Sequence, residues 1–197
     1  MAEGVIKIAV WSNNSFLEES FLGQIDSPEI NFRPLKDIIQ LPYVLALIDL
    51  SQDLSHISQK IIEIYDQVKK RNQKLTVLIL HGEQIDSEKN LYFQELLNKL
   101  GGDRPLHRLV YLRDLFQSTL LYSETYLEKY VLEAIAERKI SISKKGENNF
   151  YPVSFGDLTG CLQKIFFLHN TAGKSFWVVG DPITDLEIAY LIKKNLE

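Results

Sequence analysis

Continuously apolar runs alternate along this chain with stretches in which apolar residues recur every three or four positions, and that alternation sets the expected architecture. Residues 5–11, Val5-Ile6-Lys7-Ile8-Ala9-Val10-Trp11, are rich in β-branched side chains and nearly all apolar, as a strand covered on both faces should be. Ser15-Phe16-Leu17-Glu18 then fits a capping box, with Phe16, Leu17, Phe21, Leu22 and Ile25 at helical spacing. A second buried-strand run covers 43–49. After it, Ile57, Ile61, Ile62, Ile64, Tyr65 and Val68 put one broad apolar face on a helix over 55–72. A third run, 75–80, precedes a helix over 87–100, where Leu91, Tyr92, Phe93, Leu96, Leu97 and Leu100 recur and Gly101-Gly102 is the stop signal. Residues 108–112 read as a fourth strand. Strict strand and helix alternation predicts a parallel sheet with right-handed crossovers. The expected fold is α/β: a Rossmann-like, doubly wound, mostly parallel sheet with helices on both faces.

From residue 123 the rhythm changes to a helix ending near 137, a short strand Ile140-Ser141-Ile142, a turn-prone Lys145-Gly146-Glu147-Asn148-Asn149, and Phe150-Tyr151-Pro152-Val153. A helix over 155–169, a strand over 175–179 and a last helix opened by the capping box Thr184-Asp185-Leu186-Glu187 complete the chain. No repeat or linker separates these parts, and 197 residues suit one domain, so 1–197 is read as a single domain. The 45% hydrophobic and 24% charged fractions are globular, and no stretch approaches the roughly 18 consecutive apolar residues of a membrane span. Met1-Ala2-Glu3-Gly4 carries no basic or long apolar leader, which makes the cytoplasm the expected compartment.

Charge excludes more than it suggests. A net −4 with interspersed signs gives no basic field for nucleic acid, and neither nucleic acid nor membrane is expected as a partner. The dense cluster Lys69-Lys70-Arg71 ends a helix, where cations complement the dipole. Cys161 is alone in an apolar stretch and reads as an inert thiol.

With these elements placed, two late segments carry a resemblance. Tyr151-Pro152-Val153-Ser154-Phe155-Gly156-Asp157-Leu158 resembles the segment that starts a late helix in extended short-chain dehydrogenase/reductases, the group of NAD-dependent epimerases and dehydratases. Val178-Val179-Gly180-Asp181-Pro182-Ile183-Thr184-Asp185-Leu186-Glu187 resembles their final strand, turn and helix. The likeness covers nearly the whole chain but rests on order and spacing, and the chain looks like a shortened member. Between Ile25 and Tyr43 there is room for about one strand, at Asn31-Phe32-Arg33, where a full member has two.

The resemblance implies a dinucleotide site, and the residues do not supply its usual parts. Such a site needs glycines between the first strand and its helix, so that the chain turns tightly and a pyrophosphate reaches the helix N-terminus. No glycine occurs between Val5 and Leu22, and the loop reads Trp11-Ser12-Asn13-Asn14-Ser15. Glu18 and Glu19 fall in the first turn, where carboxylates already answer the dipole. A ribose-holding acid after the second strand is missing, unless Asp37 serves. The family's catalytic tyrosine is followed four residues on by a lysine, but Tyr92 is followed by Leu96, and His81-Gly82 stands where the family has its serine. Tyr65 to Lys69 and Tyr190 to Lys194 match that spacing on the wrong helices.

Weaker signals remain. Gly173-Lys174-Ser175 is read as a turn, because the rest of a phosphate loop is absent. His56, His81, His107 and His169 are scattered without metal-ligand spacing, so no metal is expected; Asp49, Glu83 and Asp86 are read as loop charges near strand ends. The expectation is a catalytically degenerate epimerase/dehydratase-like protein, a pseudoenzyme acting as scaffold, regulatory or binding subunit without a cofactor. Its partner would be another protein or a second copy, met through the helices 55–72 and 87–100, the pair that the resemblance implies for dimerisation, with Tyr65 and Phe93 either anchoring the contact or buried in the core. The alternative is an enzyme that binds NAD(P) or another nucleotide through Trp11, Ser12, Asn13, Asn14 and Ser15, with Tyr92 or His81 in catalysis.

Overall fold

The computed structural model describes residues 5–23, 30–36, 41–50, 55–80, 87–103, 105–112, 114–116, 126–142 and 144–196. They form two compact units, one of residues 1–112 and 159–178, the other of 113–158 and 179–197.

The first unit is built on a sheet in which every pair of neighbours is parallel. Its strands are β1 (Ile6–Ser12), β2 (Ile30–Pro34), β3 (Tyr43–Asp49), β4 (Lys74–Leu80) and β5 (His107–Leu112), and β9 (Ser175–Val178) closes one edge in the order β2-β1-β3-β4-β5-β9. Helices α1 (Ser15–Leu22), α2 (Ser55–Arg71) and α3 (Ser87–Gly101) make the crossovers. The middle strands are apolar on both faces because both faces are covered: Val44 to Ile48, Ile8 to Val10 and Val77 to Ile79 are all inaccessible to solvent. Burying each large apolar side chain there stabilises the fold by roughly 1.5–3 kcal/mol. Only β2 lies beyond β1 among the described residues, which matches the one strand expected at Asn31-Phe32-Arg33.

Of the two roles open to Tyr65 and Phe93, core burial is the one observed. They are 1% and 0% exposed and belong to the core cluster under α2 and α3, so neither can anchor a partner.

The second unit holds β6 (Asp114–Phe116) paired in parallel with β8 (Pro152–Ser154), α4 (Tyr126–Glu137), β7 (Asn149–Phe150) antiparallel to β10 (Ile183–Thr184), and α6 (Asp185–Leu196); α5 (Phe155–Phe167) crosses the boundary between the units. Its centre is a buried carboxylate. Asp185, wholly inaccessible, accepts hydrogen bonds from the Tyr130 hydroxyl at 2.9 Å and the Asn148 side-chain amide at 2.7 Å, tying α4, the preceding turn and α6 together. The cap expected at Thr184 is present, Thr184 and Glu187 exchanging side-chain to backbone bonds, and the Ser154 hydroxyl caps α5 by accepting the Asp157 amide.

The strand expected at Ile140-Ser141-Ile142 does not form. Arg138 takes a left-handed conformation (φ 52°) after α4, and the chain folds back so that Glu133 on α4 accepts the Ser141 amide at 3.0 Å. That amide is therefore not offered to a ladder.

Candidate functional site

In an open parallel sheet, ligands bind beside the carboxyl ends of the strands where the strand order reverses. Here that point lies between β1 and β3, since the chain passes from β1 outward to β2 and then back to β3 on the other side. The residues that end these two strands, Ser12 and Asp49, bracket the position at which a dinucleotide phosphate would meet α1.

The polar groups of this corner are bonded to one another. The Asn13 side-chain amide donates to the Asp49 carbonyl at 2.9 Å, and the Asp49 amide donates back to Asn13 Oδ1 at 2.8 Å. Asn14 Nδ2 donates to the Asp49 carboxylate at 2.8 Å, and the Asn14 amide donates to the Ser12 hydroxyl at 3.0 Å. The Ser12 amide donates to Glu18 Oε2 at 3.3 Å. From the other side, Lys89 on α3 donates to the Leu50 carbonyl at 3.1 Å. The Asn13 and Asn14 side-chain amides and the Ser12 and Asn14 backbone amides are thus directed at the protein itself.

This arrangement moves the cap of α1 by one residue. Asn14, not Ser15, is the N-cap: its carbonyl accepts the Glu18 amide at 3.1 Å and its side-chain oxygen the Leu17 amide at 3.4 Å. Glu18 still reaches back as a capping-box glutamate does, but to Ser12, because the asparagine has displaced the cap. Glu19, expected beside it in the first turn, is solvent-exposed and takes no part.

The five residues suggested for a cofactor therefore meet different fates. Trp11 packs against the core cluster, Ser12 is buried, Asn13 and Asn14 are clamped to Asp49, and Ser15 is exposed. Tyr92 is half-exposed on α3, where its hydroxyl donates to the Ser58 hydroxyl on α2 at 2.8 Å. His81, Asp37, Glu83 and Asp86 lie outside the described residues. Among the described residues no three His, Cys, Asp or Glu side chains converge on one point. Gly173 is the turn residue expected, with φ 72° and Pro105 filling the space a Cβ would need.

A group of shifted titrations falls at the opposite, amino end of the sheet. His107, 3% exposed, is held down to about 4, first by burial and then by the Arg108 charge, and its Nδ1 has no hydrogen-bond partner among the described residues. Arg108, 4% exposed, donates to the Thr171 hydroxyl at 3.1 Å and the Leu106 carbonyl at 2.8 Å, and burial lowers its pKa. Lys74, lowered by burial and by Arg108, donates to the Phe166 carbonyl at 2.8 Å. The Thr171 hydroxyl lies 2.8 Å from both the Ile165 and the Leu168 carbonyls. These groups finish α5, whose last carbonyls have no intrahelical partner. Sequence reasoning missed this cluster. Its one signal was a charged residue opening each of two buried strands.

No protein-family model matches the chain, and no curated protein matches it in sequence. Solved structures do match in shape. A GDP-L-fucose synthetase from Naegleria fowleri superposes with a TM-score of 0.64 at 13% identity, over 96% of this chain and 82% of that one. An epimerase from Methanothermobacter thermautotrophicus gives 0.64 at 11% identity, over 98% and 78%. A dTDP-glucose 4,6-dehydratase from Bacillus anthracis, in complex with NAD, gives 0.61 at 11% identity, over 98% and 81%. No helix among the described residues is long and apolar enough to cross a membrane. The chain has the Rossmann-like α/β fold of these epimerase- and dehydratase-type enzymes, in agreement with the extended short-chain dehydrogenase/reductase resemblance read from its sequence.

Proposed function

We propose that this protein is a catalytically degenerate relative of the epimerases and dehydratases, a cytoplasmic scaffold, regulatory or binding subunit that works without a nucleotide cofactor. The network of Asn13, Asn14, Glu18 and Asp49 carries the reading, because it uses at the switch point the donors that a pyrophosphate would need. A bound phosphate would have to displace the Glu18 carboxylate from the Ser12 amide and lie beside its negative charge. The absence of a lysine one turn after Tyr92, and the engagement of its hydroxyl with Ser58, support the loss of turnover. The outer faces of α2 and α3, with Ile62, Leu91 and Tyr92 exposed, are the proposed contact with a protein partner or a second copy.

The competing reading, NAD(P) binding through the same loop, draws on the dehydratase solved in complex with NAD. Thermal-shift titration with NAD(H), NADP(H), ATP and UDP-sugars separates the two. The subunit reading expects no rise in Tm; a clear rise with a dinucleotide, abolished by Asn13→Trp, establishes the second. Light scattering should find a dimer that Leu91→Lys dissociates, and a strict monomer at high concentration would remove the proposed self-contact.

A further inference from the structure

The second unit carries an open groove of about 960 Å³ beside α6. Its floor and walls are apolar side chains held out in solvent: Leu186, Tyr190 and Leu191 on α6 are 59%, 67% and 47% exposed, and Val179 on the approach to β10 is 56% exposed. Contiguous exposure of this kind is uncommon on a surface with no partner. Three carboxylates rim the groove, Asp157, Asp181 and Glu187, and among the described residues no Lys, Arg or His lines it. Among the described residues none of the three pairs with a cation; Asp157 is bonded to Ser154 and Glu187 to Thr184. The bonds from the Thr184 amide and hydroxyl hold the Glu187 carboxyl below its usual range, so it stays charged.

The groove is also fixed in shape. Gly180 sits so close to the Pro152 carbonyl that a Cβ would collide with it, which locks the turn before β10 against β8. The reciprocal Thr184 and Glu187 cap fixes the first turn of α6. A preformed site binds at lower entropic cost than one that must be ordered on contact. Its openness argues against a small molecule, since such sites enclose most of the ligand surface. A length of polypeptide suits it better, laid along α6 from Leu186 to Leu191.

We propose that this groove docks a basic, amphipathic segment of a partner protein, its apolar side chains on Leu186, Tyr190 and Leu191 and its lysines or arginines against Asp157, Asp181 and Glu187. The inference names the partner class for the binding-subunit reading and rests on it for biological sense, but it uses no residue of the switch point.

The test is fluorescence anisotropy on the full chain with a labelled amphipathic peptide of about 14 residues made of Leu and Lys, its Leu/Glu counterpart as control, and amide NMR shifts to locate the contact. The Leu/Lys peptide should bind and move the signals of Val179, Leu186 and Tyr190, while the Leu/Glu peptide should not bind. Leu186→Lys, and separately Asp181→Lys with Glu187→Lys, should each weaken binding about tenfold or more. Asp103→Lys, in the exposed turn after α3, should leave it unchanged and so separates local complementarity from net charge. Equal binding of both peptides, shifts spread over the surface, or an equal loss in Asp103→Lys would overturn the proposal. So would a wild-type oligomer that Leu186→Lys dissociates, because the occupant would then be a second copy. A Tm rise with NAD alongside normal peptide binding would defeat the subunit reading and leave the groove standing.

Discussion

The two ends of the central sheet use polar groups in opposite ways. At the carboxyl end, where this fold places ligands, Asn13, Asn14, Ser12, Glu18 and Asp49 answer one another's donors and acceptors in a partly exposed corner. At the amino end, burial pulls down the pKa values of Lys74, His107 and Arg108, and the Arg108 charge adds to it for Lys74 and His107, with no carboxylate paired to any of them among the described residues. Strong pKa shifts often mark chemistry. In this molecule they mark the end of a helix, because Lys74 donates to the Phe166 carbonyl of α5, and Arg108 donates to Thr171, whose hydroxyl in turn meets the Ile165 carbonyl, instead of facing a reactant. The difference teaches that a titration shift locates burial first, and that function must be argued from where the shifted group points.

Arg108→Ala probes the amino end most severely. It removes a nearly inaccessible side chain and two hydrogen bonds and leaves a cavity, while the Leu106 carbonyl keeps only the Leu75 amide. Urea denaturation should show a loss of about 3–4 kcal/mol. A loss within the range of an ordinary surface substitution would mean that the guanidinium does not hold the end of α5.

His107 should make the same region sensitive to acid. Its folded pKa of about 4 lies below the ordinary 6.5, so above pH 6.5 both folded and unfolded states are neutral and its full contribution is present. As pH falls from 6.5 towards 4 the unfolded chain takes up a proton that the folded one refuses, and stability drops by up to about 3 kcal/mol. Below 4 both states are protonated and the loss stops growing. The difference between wild type and His107→Leu, measured by urea melts across this window, isolates the step; parallel curves would contradict the buried, neutral imidazole.

How much of this was legible in the sequence follows from what each signal depends on. Strands β1, β3, β4 and β5 were readable because both their faces are buried, which forces an unbroken apolar run. The cap at Thr184 was readable because it is local. At the switch point the missing glycines and the position of Glu18 were visible, whereas the pairing of Asn13 with Asp49, 36 residues apart, was not. Nor was the partnership of Lys74 with Phe166, 92 residues apart. Ile140-Ser141-Ile142 has a strand's composition, but a short run is decided by where its amides can bond, and Glu133 supplied an acceptor.

The smallest effect is the one that decides what the carboxyl end is for. Asn13 makes two bonds to the backbone of Asp49, both only partly buried, so Asn13→Ala exposes groups that water can reach and should cost about 1–2 kcal/mol. If the corner is a structural clamp, that loss appears in the melting curve and NAD titration still gives no shift. If the asparagine instead waits to donate to a ligand, its removal should barely change the stability of the free chain and should abolish a Tm rise that wild type shows with dinucleotide. The two outcomes differ in sign on two independent readouts. The clamp is expected because the Asp49 amide and carbonyl are both committed to this one side chain, a two-way match that a ligand would have to break before gaining any bond of its own.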